Sequence, residues 1–365
     1  MRFPEFGGEW DRYKLEEVAT ISKERIGVDM LSSKNYISTE NMRSNFGGVG
    51  EATNLPASGN VMKFQQGDTL LSNIRPYLKK IWKAEFSGGC SADIFVFRSN
   101  TLCNQDFLYY TLANEKFISY AMSGAKGVKM PRGDKEQMLK YELHLPTTTE
   151  QDKITSLLSL LDERIATQIK IIEDLKKLKS AISNEIFEQT SNRICELKEI
   201  ASVIMGQSPS SHAYNNNAEG LPLIQGNLDI ENGQLSPRIY TSEITQTCEC
   251  GDVILTVRAP VGEIAIAQQE ACIGRGVCSI RPHVKNDTNL IYQFLQYFKP
   301  KWGSLEQGST FTAVSGTDIR GIAVSIPSAD KIELLNVYDN KIRVESRILT
   351  NLTQQKQYLL AQMFI

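Results

Sequence analysis

The stretch ITSLLSLLDERIATQIKIIEDLKKLKSAISNEI, residues 154–186, carries apolar residues at intervals of three, four or seven. Such spacing places them along one face of an α-helix, and over this length it is typical of a coiled-coil seam. A stretch near the C-terminus repeats the register at a constant offset of 177 positions. The predicted seam residues are Leu158, Leu161, Ile165, Ile172, Leu175, Ile182 and Ile186 in the first stretch, and Leu335, Tyr338, Ile342, Leu349, Leu352, Leu359 and Met363 in the second.

The polar interruptions of the two stretches also match, since Gln168 corresponds to Glu345 and Lys179 to Lys356. A helix of about 35 residues is roughly 52 Å long at 1.5 Å per residue. An apolar stripe of that length must be buried, and its nearest complementary partner is its own duplicate. We therefore predict two long helices that pair antiparallel. The alternative is that each helix packs only on its own domain.

The rest of the chain also contains an internal repeat of its sequence pattern. The halves begin with similar apolar and acidic segments at Leu15 and Leu197, 182 positions apart. Each continues through a Gly-Asp turn into a β-branched strand, GDTLLSNIR from Gly67 and GDVILTVR from Gly251. An aromatic helix, a glycine-containing loop and an apolar strand that ends in proline follow in both halves.

This repeat predicts a mixed α/β (α+β) fold in which two pseudo-symmetric domains are separated by a long antiparallel two-helix coiled coil. The predicted segments are a first globular domain at residues 1–146, a long spacer helix at 147–189, a second globular domain at 190–327 and a C-terminal spacer helix at 328–365. A chain of 365 residues is long enough for two separate cores.

Composition narrows the class of protein. A 41% hydrophobic and 22% charged chain without an apolar run of about 20 residues is expected to be globular and not to cross a membrane. The N-terminus has no signal-peptide pattern, so we expect a cytoplasmic protein. Seven unevenly spaced cysteines and three scattered histidines predict neither a disulfide framework nor a metal site.

Motifs of enzymes that act on DNA are missing. The chain has no two adjacent prolines, so it lacks the Asn/Asp-Pro-Pro-aromatic motif of adenine methyltransferases. It also lacks the Gly-x-x-x-x-Gly-Lys-Ser/Thr loop of a nucleotide-driven motor. We therefore expect a non-catalytic protein without a cofactor of its own.

In their order and duplication these features resemble the specificity subunits of type I restriction–modification systems. The resemblance covers essentially the whole chain and is carried by the two Gly-Asp strands, the loop at Gly308–Thr310, the domain-closing prolines Pro146 and Pro327, and the segment TEQDK at 149–153. The first half has GAKG at 124–127 in place of the Gly-Ser-Thr loop, and the second helix lacks the Glu-Gln pair.

The resemblance implies that each domain recognises one half of a split target in double-stranded DNA. It implies that the helices dock methyltransferase subunits, which use S-adenosylmethionine, and that a restriction and motor subunit, which uses ATP and Mg, joins the complex. Because the net charge of this chain is only −2, we expect a basic partner to help to hold the DNA.

Candidates for DNA contact are the side chains near turns that can hydrogen-bond base edges or phosphates. In the first domain they are Arg75, Lys79, Lys80, Lys126, Lys129 and Arg132; in the second they are Gln225, Asn227, Arg258, Arg275, Thr310 and Thr312. Two rival functions remain open at this point. One is a protein-assembly scaffold or spacer that does not recognise a DNA sequence, and the other is a stand-alone nuclease.

Overall fold

A computed structural model of the chain describes residues 2–304 and 313–364, with only the backbone described at 303 and 304. The chain forms two compact units. Unit 1 holds the described residues up to Thr167 together with those from Leu349 onward. Unit 2 holds the described residues of Gln168–Ile348. Both units combine short β-strands with α-helices.

In unit 1 the described strands form one two-stranded and two four-stranded sheets, in the orders β1-β10, β2-β9-β6-β7 and β3-β5-β8-β4. The strands are β1 (Asp11–Lys14), β2 (Ala19–Ile21), β3 (Arg25–Gly27), β4 (Tyr36–Ile37), β5 (Asn60–Phe64), β6 (Thr69–Ser72), β7 (Ile81–Lys83), β8 (Gly88–Cys90), β9 (Ile94–Ser99) and β10 (Glu142–Leu145). The helices are α1 (Leu15–Val18), α2 (Gln105–Leu112), α3 (Glu115–Ser123), α4 (Lys135–Leu139) and α5 (Thr148–Phe187), whose second half belongs to unit 2.

In unit 2 the described strands are β11 (Arg193–Glu196), β12 (Ala201–Met205), β13 (Tyr214–Asn215), β14 (Leu221–Ile224), β15 (Ile230–Glu231), β16 (Gln234–Leu235), β17 (Ile239–Thr241), β18 (Thr247–Cys248), β19 (Val253–Thr256), β20 (Ile264–Ile266), β21 (Ala271–Ile273), β22 (Val277–Pro282) and β23 (Ala323–Ile326). They form sheets in the orders β11-β23, β12-β22-β19-β20-β16-β15 and β13-β17-β14-β21-β18. The helices are α6 (Leu197–Ile200), α7 (Thr288–Phe298), α8 (Gly316–Arg320) and α9 (Ala329–Met363), whose second half belongs to unit 1.

The Gly-Asp pairs build the same turn in both units. The φ angles of Gly67 and Gly251 are +93° and +94°, a left-handed conformation that glycine adopts without strain. The aspartate that follows is buried, and its carboxylate accepts a backbone N–H from three residues earlier, at 2.8 Å for Asp68 and 2.9 Å for Asp252. The pair thus ends one connection and starts the central strand, β6 or β19.

Each buried aspartate also binds an arginine of the neighbouring strand. Asp68 accepts from Nε and Nη2 of Arg98 at 2.8 and 2.7 Å. Asp252 accepts from Nε and Nη2 of Arg281 at 3.1 and 3.0 Å. The hydrogen bonds that Arg98 donates to Asp68 are the main cause of a raised pKa of its guanidinium. A buried carboxylate needs such partners, because an uncompensated charge in the interior is costly.

The long helices pair antiparallel within each unit. In unit 2 Lys179 of α5 binds Asp339 of α9 at 2.7 Å, and Gln168, earlier in α5, donates to the carbonyl oxygen of Glu345, later in α9, at 3.1 Å. In unit 1 Lys356 of α9 binds Asp162 of α5. The two ion pairs are related by the repeat offset of 177 positions. Gln168 hydrogen-bonds Glu345, which is the residue that corresponds to it in the second copy.

A helix of each unit joins these ion pairs. Tyr110 of α2 donates its hydroxyl to Asp162 at 2.8 Å, and Gln293 of α7 donates its amide to Asp339 at 2.6 Å. Burial, followed by the charge of Asp162, raises the pKa of Tyr110. The polar breaks at Lys179 and Lys356 are therefore points of attachment between the helix pair and the rest of its unit, whereas Gln168 and Glu345 bond each other within the helix pair.

The predicted seam residues are all buried or half-buried. Six of them are buried, namely Leu158, Ile172, Ile186, Leu335, Leu352 and Met363. The other eight are half-buried, namely Leu161, Ile165, Leu175, Ile182, Tyr338, Ile342, Leu349 and Leu359. Ile186 and Leu335 belong to the core of unit 2, and Leu158 and Met363 to the core of unit 1.

An aromatic residue follows each seam. Phe187, at the end of α5, packs on Phe294 and Tyr297 with ring centroids 5.6 and 5.1 Å apart. Phe364, at the offset of 177, packs on Phe107 at 4.9 Å.

The predicted fold class, a mixed α/β fold with duplicated domains and antiparallel long helices, is confirmed.

Candidate nucleic-acid interface

In unit 2 three loops meet at the ends of central strands. Val257, after β19, donates its N–H to the carbonyl oxygen of Gly276 at 2.9 Å and accepts from the N–H of Val314 at 3.0 Å. Gly274 donates to the carbonyl oxygen of Ile224, the last residue of β14, at 2.8 Å. Backbone bonds thus hold the loop after β14, the loop after β19 and the turn after β21 together, with Val314 beside them.

The same junction exists in unit 1. Asn73, after β6, donates to the carbonyl oxygen of Asp93 at 2.7 Å and accepts from Gly133 at 3.0 Å. Ser91 donates to the carbonyl oxygen of Ile37, the last residue of β4, at 2.9 Å. The duplication of the sequence therefore extends to the hydrogen bonds that join these loops.

At the unit 2 junction lies a cleft of about 290 Å³, which we call the unit 2 cleft. Its lining residues are Ser208, Gln225, Gly226, Asn227, Arg258, Ala259, Arg275 and Gly276. Four of the residues predicted to bind DNA, from three separate loops, therefore line one concave surface. Arg258 and Arg275 are exposed, whereas Gln225 and Asn227 are half-buried.

Neighbouring groups fix the walls of the cleft. Asp229 is buried, and its carboxylate accepts the N–H of Gln225 at 2.8 Å and Nε of Arg238 at 3.0 Å. The N–H of Arg275 donates to Ser208 Oγ at 3.1 Å. A side chain at Gly276 would place its Cβ 2.0 Å from the carbonyl oxygen of Gln225, so only glycine allows these two loops to approach so closely.

In unit 1 the predicted cations Lys126 and Arg132 pair with each other through their backbones, each N–H donating to the other's carbonyl oxygen at 2.9 Å. Their side chains reach carboxylates: Lys126 lies 2.7 Å from Asp134 and Arg132 lies 3.3 Å from Asp93. The hydrogen bond to Lys126 lowers the pKa of Asp134. Lys129, between them, is exposed and forms no ion pair with a residue that the structure describes.

Arg75 is held in an unusual conformation beside this loop. Its φ is +50°, and its N–H donates to the carbonyl oxygen of Pro131 at 2.8 Å. Among the described residues nothing bonds its buried Nε, and the same holds for the buried Oδ1 of Asn73 and Oγ of Ser91 in the adjoining loops. Buried polar atoms usually have partners, so this cluster suits contact with a polar ligand.

The other two predicted cations of unit 1 have partners elsewhere. Lys79 binds Glu115 of α3, and Lys80 donates to the carbonyl oxygen of Thr39 at 2.6 Å. Both side chains are half-buried. Thr310 and Thr312 lie outside the described residues.

Arg75 and Arg258, which the sequence pairs as equivalent strand ends, are one residue out of register. Arg258 forms a β-bridge with Ala313, whereas in unit 1 it is Ile74 that forms the bridge, with Arg132. The strands themselves keep the offset of 184, since β6 begins at Thr69 and β19 at Val253. The two arginines therefore do not occupy equivalent backbone positions at the two junctions.

Sequence reasoning missed the turn after β4. Its residues Ser38–Asn41 lie where Gln225–Asn227 lie in unit 2, because β4 and β14 both pair in parallel with the strand before the junction. Ser38 donates its N–H to Asn41 Oδ1 at 2.6 Å, as Gln225 does to Asp229. Aligning Ile37 with Ile224 would have located this turn.

Neither a metal site nor a catalytic triad is found among the described residues. They include no group of three His, Cys, Asp or Glu side chains that could hold a metal ion. Ser202 Oγ lies 3.2 Å from Nε2 of His283, yet Nδ1 of that ring faces the backbone carbonyl oxygen of Glu199 and not a carboxylate. Within the described residues, no helix has the length and apolar character needed to span a bilayer.

Comparison with known proteins matches this chain to a protein family and to curated relatives, two of which are described below. The family model of the type I restriction modification DNA specificity domain matches residues 7–177 and again 192–354. A putative type I restriction enzyme MjaX specificity subunit of Methanocaldococcus jannaschii is 29% identical over 61% of this chain and 58% of its own length. The type I restriction enzyme MjaVIII specificity subunit of that organism is 23% identical over 72% of this chain and 70% of its own length.

Solved structures share the fold. The S subunit of a type I restriction–modification system from M. genitalium has a TM-score of 0.64 at 15% identity, over 100% of this chain and 99% of that one. A chain from a study of the assembly and conformational transition of a type I R-M system has a TM-score of 0.61 at 23% identity, over 98% of both. The two segments that the family model matches together make up most of the chain. This chain therefore belongs to the family of type I restriction–modification DNA specificity domains.

Proposed function

We propose that this chain is the DNA sequence-specificity subunit of a type I restriction–modification complex. Each domain recognises one half of a bipartite target in double-stranded DNA. The paired helices set the gap between the halves and dock methyltransferase subunits. The chain itself carries out no chemistry.

The observation that supports this function is the duplicated junction of loops. Two matched sets of backbone hydrogen bonds bring together residues that are far apart in sequence. Most of the polar side chains predicted to contact bases or phosphates lie on these loops. A DNA-binding site needs polar groups from several loops on one surface, since phosphate contacts position the duplex and base contacts select the sequence. Two such sites in one chain suit a target with two halves.

The helices support the idea of a fixed gap. α5 runs unbroken through Thr148–Phe187 and contributes to both units, and α9 does the same through Ala329–Met363. Two half-sites recognised from one face of the duplex should lie about 34 Å apart, one helical turn of DNA. Helices whose contacts repeat at a constant offset are suited to hold that separation.

The partners supply what this chain lacks. We propose that the methyltransferase subunits bring S-adenosylmethionine and basic surface for the phosphates, and that restriction and motor subunits bring ATP and Mg. The net charge of −2 argues that this chain alone neutralises few phosphates. The assembly would act on cytoplasmic DNA.

A random-sequence selection tests the proposal. The complex of this chain with its methyltransferase subunit is incubated with a DNA library, and bound molecules are sequenced. We expect enrichment of two short motifs separated by a fixed number of unspecified base pairs. Binding without enrichment would favour a scaffold, and metal-dependent cleavage by the purified chain alone would favour a nuclease.

A further inference from the structure

The two junctions differ in how their cations are engaged. At the unit 1 junction Lys126 and Arg132 form ion pairs with carboxylates, whereas Arg75 and Lys129 form none with a described residue. In unit 2, neither Arg258 nor Arg275 forms an ion pair with a described residue, and both line the unit 2 cleft. Two guanidinium groups therefore stand ready in this cleft to donate hydrogen bonds to a ligand.

The orientation of the Gln225 amide follows from its neighbour. Tyr214 donates its hydroxyl proton to the carbonyl oxygen of Pro209 at 3.3 Å. The tyrosine oxygen must then accept, and it does so from Nε2 of Gln225 at 3.0 Å. This bond turns the amide so that Oε1 points away from Tyr214, and no described residue donates to it. Gln225, whose amide is held in this orientation, thus lines the same cleft as Arg258 and Arg275.

Such a set of groups is complementary to one base pair. In the major groove a G·C pair presents two acceptors, N7 and O6 of guanine, followed by the N4 amino donor of cytosine. An A·T pair presents an acceptor, a donor and an acceptor, so it lacks the two adjacent acceptors that one guanidinium binds with two hydrogen bonds. A phosphate offers acceptors only, so a fixed carbonyl oxygen near it is unfavourable.

We propose that the unit 2 cleft binds the major-groove edge of a G·C base pair. Arg258 or Arg275 donates two hydrogen bonds to N7 and O6 of guanine, and Oε1 of Gln225 accepts from N4 of the paired cytosine. Asp229 and Tyr214 hold the glutamine in place. This assignment rests on the proposed function, and it adds that the half-site recognised by the second domain contains guanine.

The test uses the complex with the methyltransferase subunit and a library randomised in both half-sites. Arg258→Gln, Arg275→Gln and Gln225→Leu are compared with wild type. We expect one arginine variant and Gln225→Leu to lose discrimination at the same G·C position, by roughly 5- to 100-fold. Gln225→Glu keeps an acceptor and should retain the preference. Arg193→Gln, an exposed arginine of unit 2 outside the cleft, is the matched control and should change nothing.

Three other results would overturn the assignment. A uniform loss of affinity with an unchanged motif and a shallower salt dependence would mean that the arginines contact phosphate. Relaxation of different base pairs by the arginine and glutamine variants would mean that they do not share one pair. Under either of these two results the proposed function stands. A wild-type complex that enriches no motif would defeat the proposed function and this assignment together. Thermal unfolding of each variant checks that it is folded.

Discussion

At the scale of single residues the repeat preserves a buried charge. Asp68 and Asp252 each join a turn, a strand and an arginine, and in both units the carboxylate accepts from Nε and Nη2 of that arginine. The sequence shows the Gly-Asp pair as a turn signal. It does not show the arginine partner, because Arg98 lies 30 positions away and only strand pairing brings it close.

Replacing Asp68 with Asn should destabilise the chain by about 2 kcal/mol, because the amide cannot accept both bonds of the guanidinium. The free energy of unfolding from denaturant titration measures the change. Glu263→Gln is the control, since it breaks an exposed ion pair with Lys299 and should cost under about 1 kcal/mol. Equal losses for the two variants would show that burial of Asp68 contributes nothing.

The cysteines differ sharply in accessibility. Cys250 is exposed, whereas Cys90, Cys103, Cys195, Cys248, Cys272 and Cys278 are buried. A thiol reacts as its thiolate, and burial raises the pKa of Cys103 to about 12. An alkylating reagent at pH 8 should therefore modify one thiol of the native protein and seven in denaturant, as counted by mass spectrometry. Cys250→Ser should remove the native reaction, and labelling that persists in this variant would contradict the packing described here.

These thiols also predict loss of stability at alkaline pH. Burial raises the pKa of Cys90 and Cys278 to about 12 and that of Cys248 to about 11. A proton held more tightly in the folded state is released on unfolding, so stability is full below pH 9 and falls as the pH rises toward 11–12.

Urea titrations at pH 8 and pH 10 measure this slope. Cys278→Ala should lower stability at both pH values but reduce the difference between them, whereas Cys250→Ala should leave the difference unchanged. An unaltered slope in Cys278→Ala would be evidence against the tight burial of this thiol.

At the scale of elements, the long helices were predictable because their apolar period persists over many turns. The register and even the polar breaks follow from the sequence. Several strands were not predictable, since strands of two or three residues such as β13 and β15 are too short to show the alternation over about four residues or more that identifies a strand. The turn after β4 was missed for the same reason.

The aromatic residue after each seam should matter more than the exposed residues of the same helix. Phe364→Ala is expected to cost about 3 kcal/mol, because Phe364 is 7% exposed and packs in the core of unit 1. Tyr358→Ala, at a position 56% exposed, should cost less than about 0.5 kcal/mol. Calorimetry of both variants compares them, and similar losses would argue against docking of Phe364.

At the scale of the whole molecule, the candidate site was predicted in part. Side-chain chemistry and turn signals identified Arg258 and Arg275, and they lie in one cleft with Gln225 and Asn227. The sequence could not show that Lys79 and Lys80 have internal partners, nor that the loops of Asn73 and Ser91 meet at one junction. Such contacts depend on loops whose approach is set by long-range strand pairing.

Matched shortening of the two long helices tests the proposed gap. Deleting seven residues, two turns of helix, from α5 and from α9 at positions 177 apart keeps the seam in register. The complex should then select the same two half-sites with a different number of base pairs between them. Sequencing of selected DNA measures that number. An unchanged gap in a folded variant would show that the helices do not set it.

The composition of the units has a consequence for biosynthesis. Unit 2 is one continuous stretch of chain, but unit 1 needs Leu360, Met363 and Phe364, which the ribosome adds long after residue 167. A nascent chain can therefore complete unit 2 first, while the earlier-made unit stays unfinished until translation has passed residue 364. A message cut short near residue 348 would yield a product with one intact module, and its incomplete module would be a substrate for cellular proteases.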